Sequence, residues 1–135
     1  MKGVFLDASV LVEACLLNSG NFAEADALIK RPNVTSVHAL AEAYATLSGD
    51  KRLRIKAHDA SQMVLDCAAK LQVADLGVRS LARLLSSAPS RSVTGGLFYH
   101  AMHAEVARRQ GCTVIRTLNI SHFRHVAPEL EVVAL

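Results

Sequence analysis

Short apolar runs alternate along this chain with longer stretches in which apolar positions recur every three to four residues. The first run, Val4-Phe5-Leu6, stops on Asp7, and helical spacing follows at once through Val10, Leu11, Ala14 and Leu17. Asn18-Ser19-Gly20-Asn21 ends that helix, and residues 22–30 predict a second short one that stops ahead of Pro32. Val34-Thr35-Ser36 has β-like character. A helix from about His38 to Leu47 comes next, closed by Ser48-Gly49-Asp50. Residues 52–69 predict another, with Leu53, Ala57, Ala60, Met63, Val64 and Cys67 on one face. Leu71-Gln72-Val73 is a third strand, and Asp75 is the expected cap of a helix through about Leu85. Ser86 to Gly96 is the longest expected loop. Leu97 to Gln110 is helical with Gly111 just past its end, Thr113 to Arg116 is a strand, and Glu131 to Ala134 is the last one.

Short strands alternating with helices predict an α/β fold, a parallel sheet covered on both faces. Right-handed crossovers then bring the C-terminal tips of the strands to one rim. At 135 residues the chain is expected to form a single domain over 1–135. No apolar run approaches the roughly 20 residues that cross a bilayer, and the early Lys2 and Asp7 are unlike a signal peptide. Cys15, Cys67 and Cys112 are odd in number and lack CxxC spacing, which suits small core residues in a reducing, cytoplasmic compartment. The net charge is only +3, but its distribution is uneven. Lys51, Arg52, Arg54 and Lys56 cluster, and further arginines populate the second half, from Arg79 to Arg124. Such clusters are either solvated helix faces or the footprint of a polyanion.

Four places carry candidate chemistry. Asp7 stands at the tip of an apolar strand, where ligands of open α/β sheets collect, although Asp there also serves as a helix cap. Glu42 interrupts Ala39-Leu40-Ala41-Glu42-Ala43, with His38 at i−4 on the same face. Gly95-Gly96 precede a helix and let its backbone approach a neighbour closely; His100 and His103 are neighbours on that helix and a pattern able to bind a transition metal. Thr117 and Asn119 end the strand after it, and Ser121-His122-Phe123 opens a one-turn helix.

The stretches VFLDASVLVEA, SVHALAEAYATLSG and GGLFYHAMHAEVARRQGCTVIRTLNISHF, in that order and spacing, resemble the PIN-domain family and within it the VapC-type toxin ribonucleases. The resemblance implies a three-layer α/β/α sandwich with a central parallel sheet of four to five short strands, usually dimeric. It implies a type II toxin that hydrolyses single-stranded RNA with Mg²⁺ or Mn²⁺ bound to clustered acids, and an antitoxin partner that covers the acidic groove. Hard divalent cations favour oxygen ligands and make a water nucleophilic near neutral pH. Position by position, Asp7 matches the first acid, Glu42 the second and His100 the third, with Asn119 in the region of the fourth. Thr117, His103 and His38 are auxiliary neighbours, and Lys51, Arg52 and Arg54 are expected RNA contacts. The chain departs from the family at His100, where the usual residue is Asp. Imidazole suits Mn²⁺ moderately and Zn²⁺, Co²⁺ or Ni²⁺ well, so a softer metal is one expectation. A degenerate module that binds RNA or protein without cleavage is the other.

Overall fold

The computed structural model describes residues 3–135. Five strands, β1 (Phe5–Leu6), β2 (Val34–Ser36), β3 (Gln72–Ala74), β4 (Val114–Thr117) and β5 (Glu131–Ala134), form one sheet in the order β3-β2-β1-β4-β5. Every pairing is parallel. The helices are α1 (Ala8–Glu13), α2 (Phe22–Ile29), α3 (Val37–Gly49), α4 (Ala57–Lys70), α5 (Val78–Ser87), α6 (Leu97–Arg109) and α7 (Ile120–Val126).

Successive strand residues point to opposite faces, and β1 shows what that does here. Phe5 enters a core with Val34, Ala104, Ile115, Phe123 and Val126. Leu6, its neighbour, enters a second core with Val10, Leu11, Ile29, Ala39 and Ala43. Two residues of one strand thus seed two apolar layers, and the α/β/α sandwich follows. Both are fully buried. No described helix is long and apolar enough to cross a membrane.

From β1 the chain builds outward to β2 and β3 on one side, then returns to lay β4 and β5 on the other. The order therefore reverses between β1 and β4, and open α/β sheets bind ligands at such a switch point, outside the strand ends. The register pairs Leu6 with Arg116, which carries Asp7 and Thr117 side by side onto the rim.

Several expected boundaries move, each for a local reason. The first helix stops at Glu13 rather than running to Leu17. The helix expected over 52–69 begins only at Ala57. Asp50 accepts the backbone N–H of Arg52 at 3.0 Å and closes a 3₁₀ turn over Lys51–Leu53, and Arg54 is left-handed at φ 54°. That reversal places Leu53 outside α4. Asp75 does not cap α5: its Oδ1 accepts from Leu76 N at 2.8 Å, and Gly77, at φ 80°, takes the N-cap position. The 86–96 segment is partly ordered as the end of α5 and a 3₁₀ turn at Pro89–Arg91. β3 lies one residue later than expected.

Candidate active site at the sheet rim

Asp7 is only 2% exposed, and the chain supplies donors to both of its oxygens. Oδ1 accepts from the backbone N–H of Ser9 (3.0 Å) and Val10 (3.4 Å) and from the Ser9 hydroxyl, so Asp7 is the N-cap of α1. Oδ2 accepts from the Thr117 hydroxyl at 2.7 Å. Thr117 Oγ1 accepts in turn from Asn119 N (2.8 Å), and Ser9 Oγ from Leu118 N (2.9 Å). A buried carboxylate is tolerable only with such donors. Here they tie the tips of β1 and β4 together.

Glu42 stands on the first turns of α3, whose N-cap is Ser36, the last residue of β2. Ser36 Oγ accepts from Ala39 N at 3.0 Å. One turn separates His38 from Glu42, so both side chains share a face. Glu42 Oε1 lies 3.0 Å from His103 Nε2 and 2.8 Å from His38 Nε2. The first contact is a hydrogen bond. The second is out of line, and His38 Nε2 is left buried with no hydrogen-bond partner. His103 reaches across from α6. It is 2% exposed, and its Nδ1 lies 3.0 Å from Ser36 Oγ. The His38 ring stacks on Tyr99, with centroids 4.9 Å apart and planes 19° apart. Burial pushes the Glu42 carboxyl up, but the His103 hydrogen bond and the charges of His103, His38 and His100 outweigh it, so Glu42 ionises below the usual carboxylate range.

The expected pairing of His100 with His103 is not what the helix delivers. His103 turns inward to Ser36 and Glu42, whereas His100 packs edge-on against His122 (4.7 Å, 71°) and Phe123 (4.9 Å, 73°) of α7. An i, i+3 step rotates a side chain by about 300°, enough here to divide a buried position from a half-exposed one. Burial drives His100 below the ordinary imidazole range, countered in part by the Gly96 carbonyl and the charge of Asp7. Among the described residues, those whose ligand atoms converge are His38, Glu42 and His103, all within 4.8 Å of one another. One carboxylate oxygen and two imidazole nitrogens, one of them buried without a hydrogen bond, are a donor set that fits a divalent cation.

Asn119 is exposed and makes no side-chain cap to α7. It lines a cavity of about 260 Å³ with Glu42, Ser9, Glu13 and Thr46, so Glu42 and Asn119 address one space. Gly95 is left-handed at φ 58°, and a Cβ at either Gly95 or Gly96 would meet nothing within 4 Å. The glycine pair therefore shapes a turn and is not needed for the close approach expected of it. Lys51 and Arg52 are exposed on the turn after α3, and Arg52 is engaged with Asp50 through two bonds of 3.0 and 2.9 Å. Arg54 lines a separate hollow with Asp59, Gln62 and Asp66. Two hydroxyls escaped the sequence reading, Ser9 and Ser36. Their only signal is position, two residues past one strand-tip acid and immediately before the α3 helix.

The PIN domain family model matches residues 4–128. The chain belongs to the PIN-domain family. No curated protein matches it significantly. Twelve chains of known structure do. One is VapC20 of Mycobacterium tuberculosis, described as a sarcin–ricin loop cleaving toxin. It is 17% identical over 84% of this chain and 87% of its own, with a TM-score of 0.62. Another is PAE2754 of Pyrobaculum aerophilum, 24% identical over 97% of this chain and 83% of its own, with a TM-score of 0.66.

Proposed function

We propose that this protein is a divalent-metal-dependent endoribonuclease of single-stranded RNA, acting as the toxin of a type II toxin–antitoxin pair. Membership of the PIN-domain family and the donor set at the rim support the reading. The observation that carries it is the Glu42 carboxylate, ionised and held by His103 at 3.0 Å beside a cavity it shares with Asn119. Asp7, Glu42 and His100 are the proposed metal-binding residues. A divalent cation there supplies charge neutralisation at the scissile phosphate and a more acidic water. Thr117 positions Asp7, His38 and His103 orient Glu42, and Asn119 meets substrate or solvent across the cavity. Lys51, Arg52 and Arg54 are proposed contacts for the RNA backbone. An antitoxin that covers the rim, a homodimer, a single domain over 1–135 and a cytoplasmic location complete the proposal. VapC20, described as cleaving the sarcin–ricin loop, is the similar protein whose activity suggests it.

The test is cleavage of a fluorophore–quencher single-stranded RNA with Mg²⁺ or Mn²⁺. Removing one group that acts in the transition state costs on the order of 10²-fold or more, so Glu42→Gln should lose at least about that factor while keeping its circular dichroism. Full activity in that variant would sink the assignment. The degenerate alternative rests on a specific observation: His100 is packed against His122 and Phe123 where a metal-binding acid is usual. It expects no cleavage by the native chain with Mg²⁺ or Mn²⁺, and cleavage that appears in His100→Asp.

A further inference from the structure

We propose that His38, Glu42 and His103 form a site for a borderline divalent transition-metal ion of the Zn²⁺ or Co²⁺ kind, in preference to Mg²⁺. The inference rests on the proposed function and deepens it by naming an ion class and a ligand set that shares Glu42 with the proposed Asp7–Glu42–His100 group.

The fold brings these donors together for reasons independent of any metal. His38 and Glu42 share one face of α3 because they are four residues apart. His103 is delivered from α6 and buried, so its ring cannot wander. An ion with bonds of about 2.0–2.1 Å in tetrahedral geometry holds its ligand atoms roughly 3.3 Å apart. Glu42 Oε1 already lies 2.8 and 3.0 Å from the two imidazole nitrogens, and all three atoms fall within 4.8 Å of one another, so side-chain adjustments alone bring them to that spacing.

The supporting groups are also those a metal site needs. A metal-bound histidine ordinarily donates its other ring N–H to a neighbour, which fixes the tautomer. Ser36 Oγ has two lone pairs; one accepts from Ala39 N, and the second faces His103 Nδ1 at 3.0 Å. With Nδ1–H donated to Ser36, Nε2 can give up its hydrogen bond to Glu42 and turn its lone pair to an ion seated between the two side chains. Tyr99 holds the His38 ring by stacking. His38 Nε2 is buried with the Glu42 carboxylate 2.8 Å away but no hydrogen bond of good geometry, so its polar demand is met only by that ion-pair contact. Beside the cluster a cavity of about 30 Å³, lined by His38, His103, Ser36 and Asp75, has room for a water.

The ligand types decide the ion. Mg²⁺ takes oxygen ligands in near-ideal octahedral geometry. Two imidazoles and one carboxylate are instead a three-ligand set that binds Zn²⁺ and leaves a position open for water.

The full chain, stripped of metal and free of RNA, is titrated with Zn²⁺ and Mg²⁺ by calorimetry and with Co²⁺ by visible absorption. One Zn²⁺ should bind per chain, at least about 100-fold tighter than Mg²⁺, and Co²⁺ should develop a visible spectrum. Ser36→Ala should weaken Zn²⁺ binding about 10- to 100-fold, the usual effect of losing an outer-shell partner. His38→Ala, at a half-exposed position that leaves the core intact, should weaken it at least as much with unchanged circular dichroism. Unchanged Zn²⁺ affinity in His38→Ala overturns the proposal. So does Mg²⁺ binding as tightly as Zn²⁺, or loss of the Co²⁺ spectrum in Asp7→Asn and His100→Ala but not in His38→Ala. RNA cleavage is scored separately. Zn²⁺ binding without cleavage keeps the site and removes the nuclease reading. Cleavage with Mg²⁺ alone, indifferent to His38→Ala, does the reverse.

Discussion

Asp7 and Glu42 are both acids at the rim of one sheet, and the chain treats them in opposite ways. Asp7 is buried and its oxygens are filled by Ser9, Val10 and Thr117 from two neighbouring strand ends. Glu42 is about one-third exposed, shares one oxygen with two imidazoles and faces an open cavity. The first carboxylate is held by short-range donors and keeps the strand tips in register. The second is held by side chains that can themselves change partner. A site thus has a rigid anchor and an adaptable arm, and substitutions should separate the two.

The largest effect on stability should come from Asp7→Ala. It removes a helix cap, worth about 1 kcal/mol, and strands the buried Thr117 hydroxyl, which costs roughly 1–3 kcal/mol. Denaturant unfolding should register a loss of about 2–4 kcal/mol from these two terms. Thr117→Val breaks the same tie from the other strand. A loss of roughly 1–3 kcal/mol is expected, because Asp7 Oδ2 and Asn119 N each lose a partner. If either variant unfolds at the native midpoint, the anchor role is wrong.

Glu42→Gln should behave differently. The amide keeps an oxygen for His103, so unfolding should change by only about 1 kcal/mol or less, while metal binding and cleavage suffer. A stability loss as large as that of Asp7→Ala would erase the distinction between anchor and arm.

The smallest effect is a pH dependence at His100. Its pKa is depressed by burial, so the unfolded chain takes up the proton first, near pH 6.5. Stability is therefore fully present above that value, declines as pH falls through it towards the lower folded midpoint, and then levels off. Melting temperatures between pH 8 and pH 5 should fall less steeply in His100→Asn than in the native chain. Parallel curves would show that His100 is not the group responsible.

Much of the rim could be read in one dimension. Val4-Phe5-Leu6 ending on Asp7 marks a strand tip, and an acid amid Ala39, Leu40, Ala41 and Ala43 marks Glu42, because each breaks a local hydrophobic pattern. The start of α4 was not legible. Residues 52–56 carry acceptable helical spacing, and only the Asp50 cap and the left-handed Arg54 divert them into a turn. The partner of His103 was not legible either. HxxH predicts that it joins His100, three residues away, whereas it joins Glu42, 61 residues away.

Sequence by itself determined the alternation of strands and helices, the two-faced burial that follows from Phe5 and Leu6, and which acids reach the rim. Those properties depend on local periodicity and on where apolar runs stop. Tertiary structure alone decided which side chains meet there. The Leu6–Arg116 register brings Thr117 to Asp7, and the rotation of α6 against β2 brings His103, rather than His100, between Ser36 and Glu42. Contacts between distant segments are set by packing angle and strand register, and a fraction of a helical turn is enough to exchange one histidine for another.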